Sequence, residues 1–486
     1  MRTPSSSRAP PVRTSTSSRY ARDALREAGD RAAALQAYEQ AERYYGDALA
    51  LVAADDPQRL DLLFRRGRAR FSRTAEAPAE LIEAREGFRA TGDWERAAEI
   101  SLILTEAAWY TGDGDATVEE LDQARSLIAG MPPSPAQADV LVEVSRYDML
   151  ADRNESAIEV GREAFMMAEE LGLDLVRAKA LNNIGSSRVH FGDPGGVRDL
   201  EQSVAIAEQI KDVPEMIRAH NNLGVMHLVL GNRPGWEAGI LEAHRLALHF
   251  GHQGFARWSG GGPVLLVSFH RGDWDEMQSG ADEFLADESP SYQSASARLW
   301  RGMVRVARGD VDGAQDDAER GLELARVAKD PQVILSVLPK AAMIFLSAGN
   351  ETRAGETLDE ILAEVRRLPQ MGFGTTWAHG WVWVARVLGR SEEALDAVRD
   401  EPLQSPWLDA AQAVAAGDFR QAADVMAGIG SVPFEMFYRL RAAEALVAEG
   451  RRAEADEQLR PALAFYRGVG ATRYVREGEA LMAASA

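Results

Sequence analysis

The 486 residues include no cysteine. That excludes disulfides, thiolate metal sites and a cysteine nucleophile, and it fits a reducing compartment. A cytoplasmic protein is expected. Lysine is nearly absent too. Lys179, Lys211, Lys329 and Lys340 are the only four, and Arg supplies the rest of the 54 basic side chains. Against them stand 75 acidic residues, for a net charge of −21. So acidic a body repels nucleic acid and anionic membranes, and neither is expected as a partner. No apolar run approaches the roughly 18 residues needed to span a bilayer. The N-terminus lacks the apolar stretch of a signal peptide. Strand-like alternation is scarce, whereas Ala, Leu, Glu and Arg, which favour helix, abound.

What is present is a repeat. In Leu299–Lys329, Gly302 precedes Gly309-Asp310 by seven residues, and Ala314, Ala318 and Gly321 follow Gly309 by five, nine and twelve. This reads as a helix, a tight turn and a second helix whose small residues admit a close neighbour. The spacing is that of a tetratricopeptide (TPR) unit, with a period of about 34 residues. Turns recur at Gly112-Asp113, Asp152-Arg153, Gly192-Asp193, Gly231-Asn232, Gly272-Asp273, Gly349-Asn350, Gly389-Arg390, Gly417-Asp418 and Gly450-Arg451. Gly closes one helix and Asp or Asn caps the next. Ala157, Ala354, Ala394, Ala422 and Ala455 repeat the place of Ala314. The expected fold is an all-α, right-handed TPR-like solenoid of about twelve helix pairs and a final helix.

Residues 1–18, rich in Ser, Pro and Arg, are expected to be a disordered leader. The array then runs over 19–486. Gly and Pro interrupt it near 251–263 and 368–376, which are candidate hinges or simply longer loops.

Chemistry-bearing motifs are weak. The G-x-G triplets, such as Gly372-x-Gly374, lack a third Gly and a preceding strand. Asp310-x-Asp312-Gly313 lacks the distal ligands of a calcium loop. His249 and His252 are three apart, but Gly251 ends their helix and no H-E-x-x-H exists. No G-x-S-x-G elbow occurs. The expectation is no enzyme, no metal and no cofactor.

The strongest signal lies on helices expected to line the concave surface. Lys179 and Asn183 are four apart on one face, and Arg218 and Asn222 take the same places one unit later. Two cations and two amides on one groove suit a carboxylate or phosphate. The alternative is that the Asn side chains bond neighbouring backbone. Trp109, Trp300, Trp383, His190 and His379 count onto the same side, where aromatic residues serve as anchors or fill gaps between helices.

Those four residues resemble half of the carboxylate clamp by which some TPR co-chaperones hold a peptide C-terminus. The next unit has Ser259 and Pro263 at those places. Ala37–Val52 (AYEQAERYYGDALALV) and Ala462–Ala486 (ALAFYRGVGATRYVREGEALMAASA) resemble the C-terminal TPR regions of large bacterial signalling ATPases, among them class III adenylate/guanylate cyclases and LuxR-type ATP-dependent regulators. This chain has no phosphate loop, cyclase domain or DNA-binding unit, so it resembles the sensor arm alone. The leading expectation is a non-catalytic interaction scaffold or sensor that takes a protein or peptide partner, or a small ligand, in its groove. What the resemblance implies instead is a regulatory, inducer-sensing subunit of a split signalling ATPase, cyclase or transcription regulator.

Overall fold

A computed structural model describes residues 16–484, apart from 75, 112, 288–292, 329–330 and 369. The leader therefore lies outside the described residues up to position 15. So do Gly112 of the Gly112-Asp113 turn and Pro369 of the second Gly-rich break. Helix follows helix from Thr16 to Ala484, with no strand among the described residues. The chain is an all-α, TPR-like solenoid.

The hairpin of Ser294–Arg308 and Val311–Ala328 shows why these residues fold so. Gly309, at φ +90°, reverses the chain in a left-handed conformation that a Cβ would disfavour. Asp310 then accepts from the Gly313 N–H at 3.0 Å, satisfying a donor at the start of the second helix. Ala314 and Ala318 are fully buried. A Cβ on Gly321 would sit 2.1 Å from Leu299, so the helices meet where side chains are small. Ala157, Ala354, Ala394, Ala422 and Ala455 are likewise fully buried.

The chain divides into two compact units, one ending at Val140 and one spanning Leu141–Ala486. The division falls inside the helix Pro135–Leu150 rather than at either Gly-rich break. Those breaks are built into helices. Gly260–Pro263 splits the first helix of its hairpin into Gln253–Gly261 and Pro263–Arg271. The other break forms the buried 3-10 helix Gly372–Trp377.

The first unit stacks three hairpins, whose first helices are Thr16–Ala34, Gln58–Thr74 and Trp94–Thr111. The second unit is not a single row. Its later hairpins lie across the turn ends of its earlier ones and donate to carbonyls at helix ends and in turns. The Trp407 indole donates to Leu228 O at 2.8 Å, Thr472 Oγ1 to Arg308 O at 2.7 Å, and Gln370 Nε2 to Asp152 O at 3.3 Å. In the reverse direction Arg233 donates to Gly430 O at 2.6 Å. These partners are about 160 to 220 residues apart. They tie the later hairpins to the earlier ones, and a continuous apolar core runs through the unit from Leu228 to Tyr474.

Candidate partner-binding site

The helices Asp174–His190 and Val213–Val229 carry Lys179, Asn183, Arg218 and Asn222, and those groups are engaged with one another and with neighbouring backbone and acids. Lys179 Nζ lies 3.1 Å from Glu143 Oε1. Asn183 is fully buried and donates to Val142 O at 2.8 Å. Arg218 donates to Glu215 at 2.9 Å and to Asn183 Oδ1 at 2.8 Å. Asn222 donates to Asn182, which in turn donates to Glu215. Burial pushes the Glu143 carboxyl up, but Lys179, Arg146 and Arg218 outweigh it and hold that group at about 2. The ladder of cations and amides is thus a cross-hairpin strut.

The aromatic and histidine candidates of this unit are also withdrawn from the surface. Trp300 is 1% exposed, His190 2% and Trp383 5%. This corrects their expected place on an open groove, because the later hairpins fill that side. His379 is fully buried, and its Nδ1 shares a hydrogen bond with the Tyr438 hydroxyl at 2.8 Å. Burial alone pushes His190 down to about 4 and His379 to about 3, so both rings are neutral at pH 7. Lys340 is fully buried too. Its Nζ donates to Ser336 Oγ at 2.9 Å and stands 3.8 Å from the Trp377 ring centre and 4.8 Å from that of Trp300. Burial drives its amine well below the usual lysine range.

The first unit keeps an open inner face. A cleft of about 520 Å³ runs across its three first helices. Phe64, Tyr38 and Tyr45 supply aromatic walls, and three arginines alternate with three acids around them. Asp30 accepts from the Tyr45 hydroxyl and from Arg65, both at 2.8 Å. Asp61 accepts from Arg65 at 2.7 Å and Arg96 at 3.3 Å. Glu99 accepts from Arg68 at 3.0 Å. The Arg68 side chain is 60% exposed and that of Glu99 45%. Trp109 lies in the same first helix as Glu99, is half-buried, and its ring meets that of Tyr110 edge-on at 5.3 Å.

No motif in the sequence marks these charged residues, yet the count that picks out Lys179 and Arg218 leads to one of them. Those two lie thirteen residues before Gly192 and Gly231. Thirteen before Gly112 is Glu99, and thirteen before Asp152 is Asp139. The same inner position changes from acidic to basic along the array. Among the described residues no cluster of His, Asp and Glu could hold a metal ion, and no helix is long and apolar enough to cross a membrane.

No protein-family model and no curated protein matches the chain. Among solved structures, a Rap protein complexed with competence and sporulation factor is similar at 13% identity, over 83% of this chain and 99% of that one, with a TM-score of 0.45. Yeast Tom70 is similar at 13% identity over 96% of each chain, with a TM-score of 0.32. Neither likeness carries an argument about function.

Proposed function

We propose that the protein is a non-catalytic interaction scaffold that holds a segment of a partner protein in the cleft of its first unit. The observation that supports this most is the contrast between two inner faces. That of Leu141–Ala486 buries its aromatic and histidine side chains, Trp300, Trp383, His190 and His379, against the chain's own helices. That of the first unit presents a cleft of about 520 Å³ with aromatic walls and half-exposed Arg–carboxylate pairs. Half-exposed pairs are worth only about 0–1 kcal/mol, so a ligand can exchange its own charged groups into them at little cost. Aromatic walls give such a ligand an apolar anchor.

Ser72 lines the cleft and is exposed. A photo-cross-linking residue placed there should capture a partner that the same residue at the exposed Val327 of the second unit does not. Ser72→Trp, which fills the cleft, should abolish retention of that partner. Equal capture at both sites, or undiminished retention by Ser72→Trp, would remove the proposal.

A further inference from the structure

Resting on that reading, we infer that the partner segment carries a basic side chain, Arg or Lys, which seats on Glu99. The three acids of the cleft are compensated unequally. Asp30 has a phenol and a guanidinium, and Asp61 has two guanidinium groups. Arg65 bridges that pair, so their negative charge is already matched within the wall. Glu99 has a single Arg68 contact through one nitrogen, and the Arg68 side chain stands mostly in solvent. An end-on pair of this kind lacks the two parallel hydrogen bonds that make Arg–carboxylate contacts strong.

Two further observations point the same way. The thirteen-residue count places Asp139 on the next hairpin at the position equivalent to Glu99, and the two acids repel each other. Burial, joined by Asp139, holds the Glu99 carboxyl above its ordinary range despite Arg68, Arg96 and Arg65. A cation delivered by a ligand relieves that repulsion. The aromatic residues Phe64 and Tyr38 line the same cleft and offer a surface for the aliphatic stem of Lys or Arg or for a neighbouring apolar residue. The net charge of −21 draws basic segments toward the molecule in any case. Glu99 would turn that general attraction into a position-specific one.

The full chain, selected in 0.15 M salt against a displayed library of random octapeptides, tests this. The wild type should enrich sequences with Arg or Lys at one position. A selected peptide should bind Glu99→Gln at least tenfold more weakly, and replacing its basic residue by citrulline should give a like loss. Combining the two changes should cost no more than either alone. Asp275→Asn, which removes one exposed acid of the second unit, should leave affinity unchanged and so separate site from net charge. Enrichment without basic residues, or unchanged affinity in Glu99→Gln, overturns the inference while leaving the cleft reading intact. Selected peptides that bind Ser72→Trp as well as wild type overturn both.

Discussion

Glu401 fixes the second Gly-rich break, and its titration yields a stability change of known sign. Its carboxylate accepts from the Met371 N–H at 2.7 Å, beside Gln370, which reaches across to Asp152 O. It is 8% exposed. Burial pushes the group up from 4.5 to about 7, against the pull of the Met371, Leu403 and Gly372 amides. A carboxyl raised in the fold keeps, between pH 4.5 and 7, a proton that the unfolded chain has released. Its contribution is therefore fully present below pH 4.5 and is lost as pH rises to 7. At about 1.4 kcal/mol per pH unit, the loss over that window is about 3 kcal/mol. Glu401→Gln retains an oxygen for the Met371 N–H but cannot titrate. The variant should therefore gain on wild type by about 3 kcal/mol between pH 4.5 and 7. Urea unfolding followed by Trp fluorescence reads this out, since eight of the ten Trp lie in Leu141–Ala486. His190, across the same junction, works in the opposite direction. Its neutral ring, at about 4, contributes stability present above pH 6.5 and lost as pH falls toward 4. His190→Asn should accordingly unmask the Glu401 slope that the wild-type curve partly conceals. Parallel pH profiles for wild type and Glu401→Gln would refute the reasoning.

Three other outcomes are expected. Lys340→Met should stabilise the protein, because burial drives the folded amine well below the lysine range that it regains on unfolding. Its advantage over wild type should grow by about 1.4 kcal/mol per pH unit as pH falls from 10, in the same urea assay. Lys179→Ala should cost about 2 kcal/mol at pH 7 by leaving Glu143 short of a partner, and the cost should shrink as pH falls from 4.5 toward 2. Denaturation at pH 7 and at pH 3 checks it. Trp300→Ala should cost about 3–5 kcal/mol in denaturant unfolding, since it empties a fully packed site, while affinity for a peptide bound in the first unit stays unchanged.

The repeat itself was legible because each hairpin is a local object. Gly309-Asp310 and Ala314 lie within one turn of chain, and their chemistry dictates reversal, capping and close approach without reference to anything distant. Contacts such as Trp407 to Leu228 or Thr472 to Arg308 have no such signature. They arise only when the winding of the array brings its later hairpins onto earlier ones, and the spacing of turns says nothing about that winding. For this reason Trp300, Trp383 and His190 counted onto an inner side that the chain itself covers. Lys179 and Arg218 lie on the helices Asp174–His190 and Val213–Val229. Their partners Glu143 and Glu215 turned a prospective anion site into a strut. The residues of the cleft escaped notice for a different reason. Arg65, Arg96 and Asp61 look like any solvated helical face until three hairpins set them across one another.

The central claim is that the inner face of the first unit is the one that meets a partner. Hydrogen exchange of the full chain, with and without a selected peptide, measures this directly. New protection is expected in the first helices Gln58–Thr74 and Trp94–Thr111. The inner helices Asp174–His190 and Val213–Val229 should be protected already and unchanged by the peptide. Protection that appears on those two helices, and not in the first unit, would contradict it.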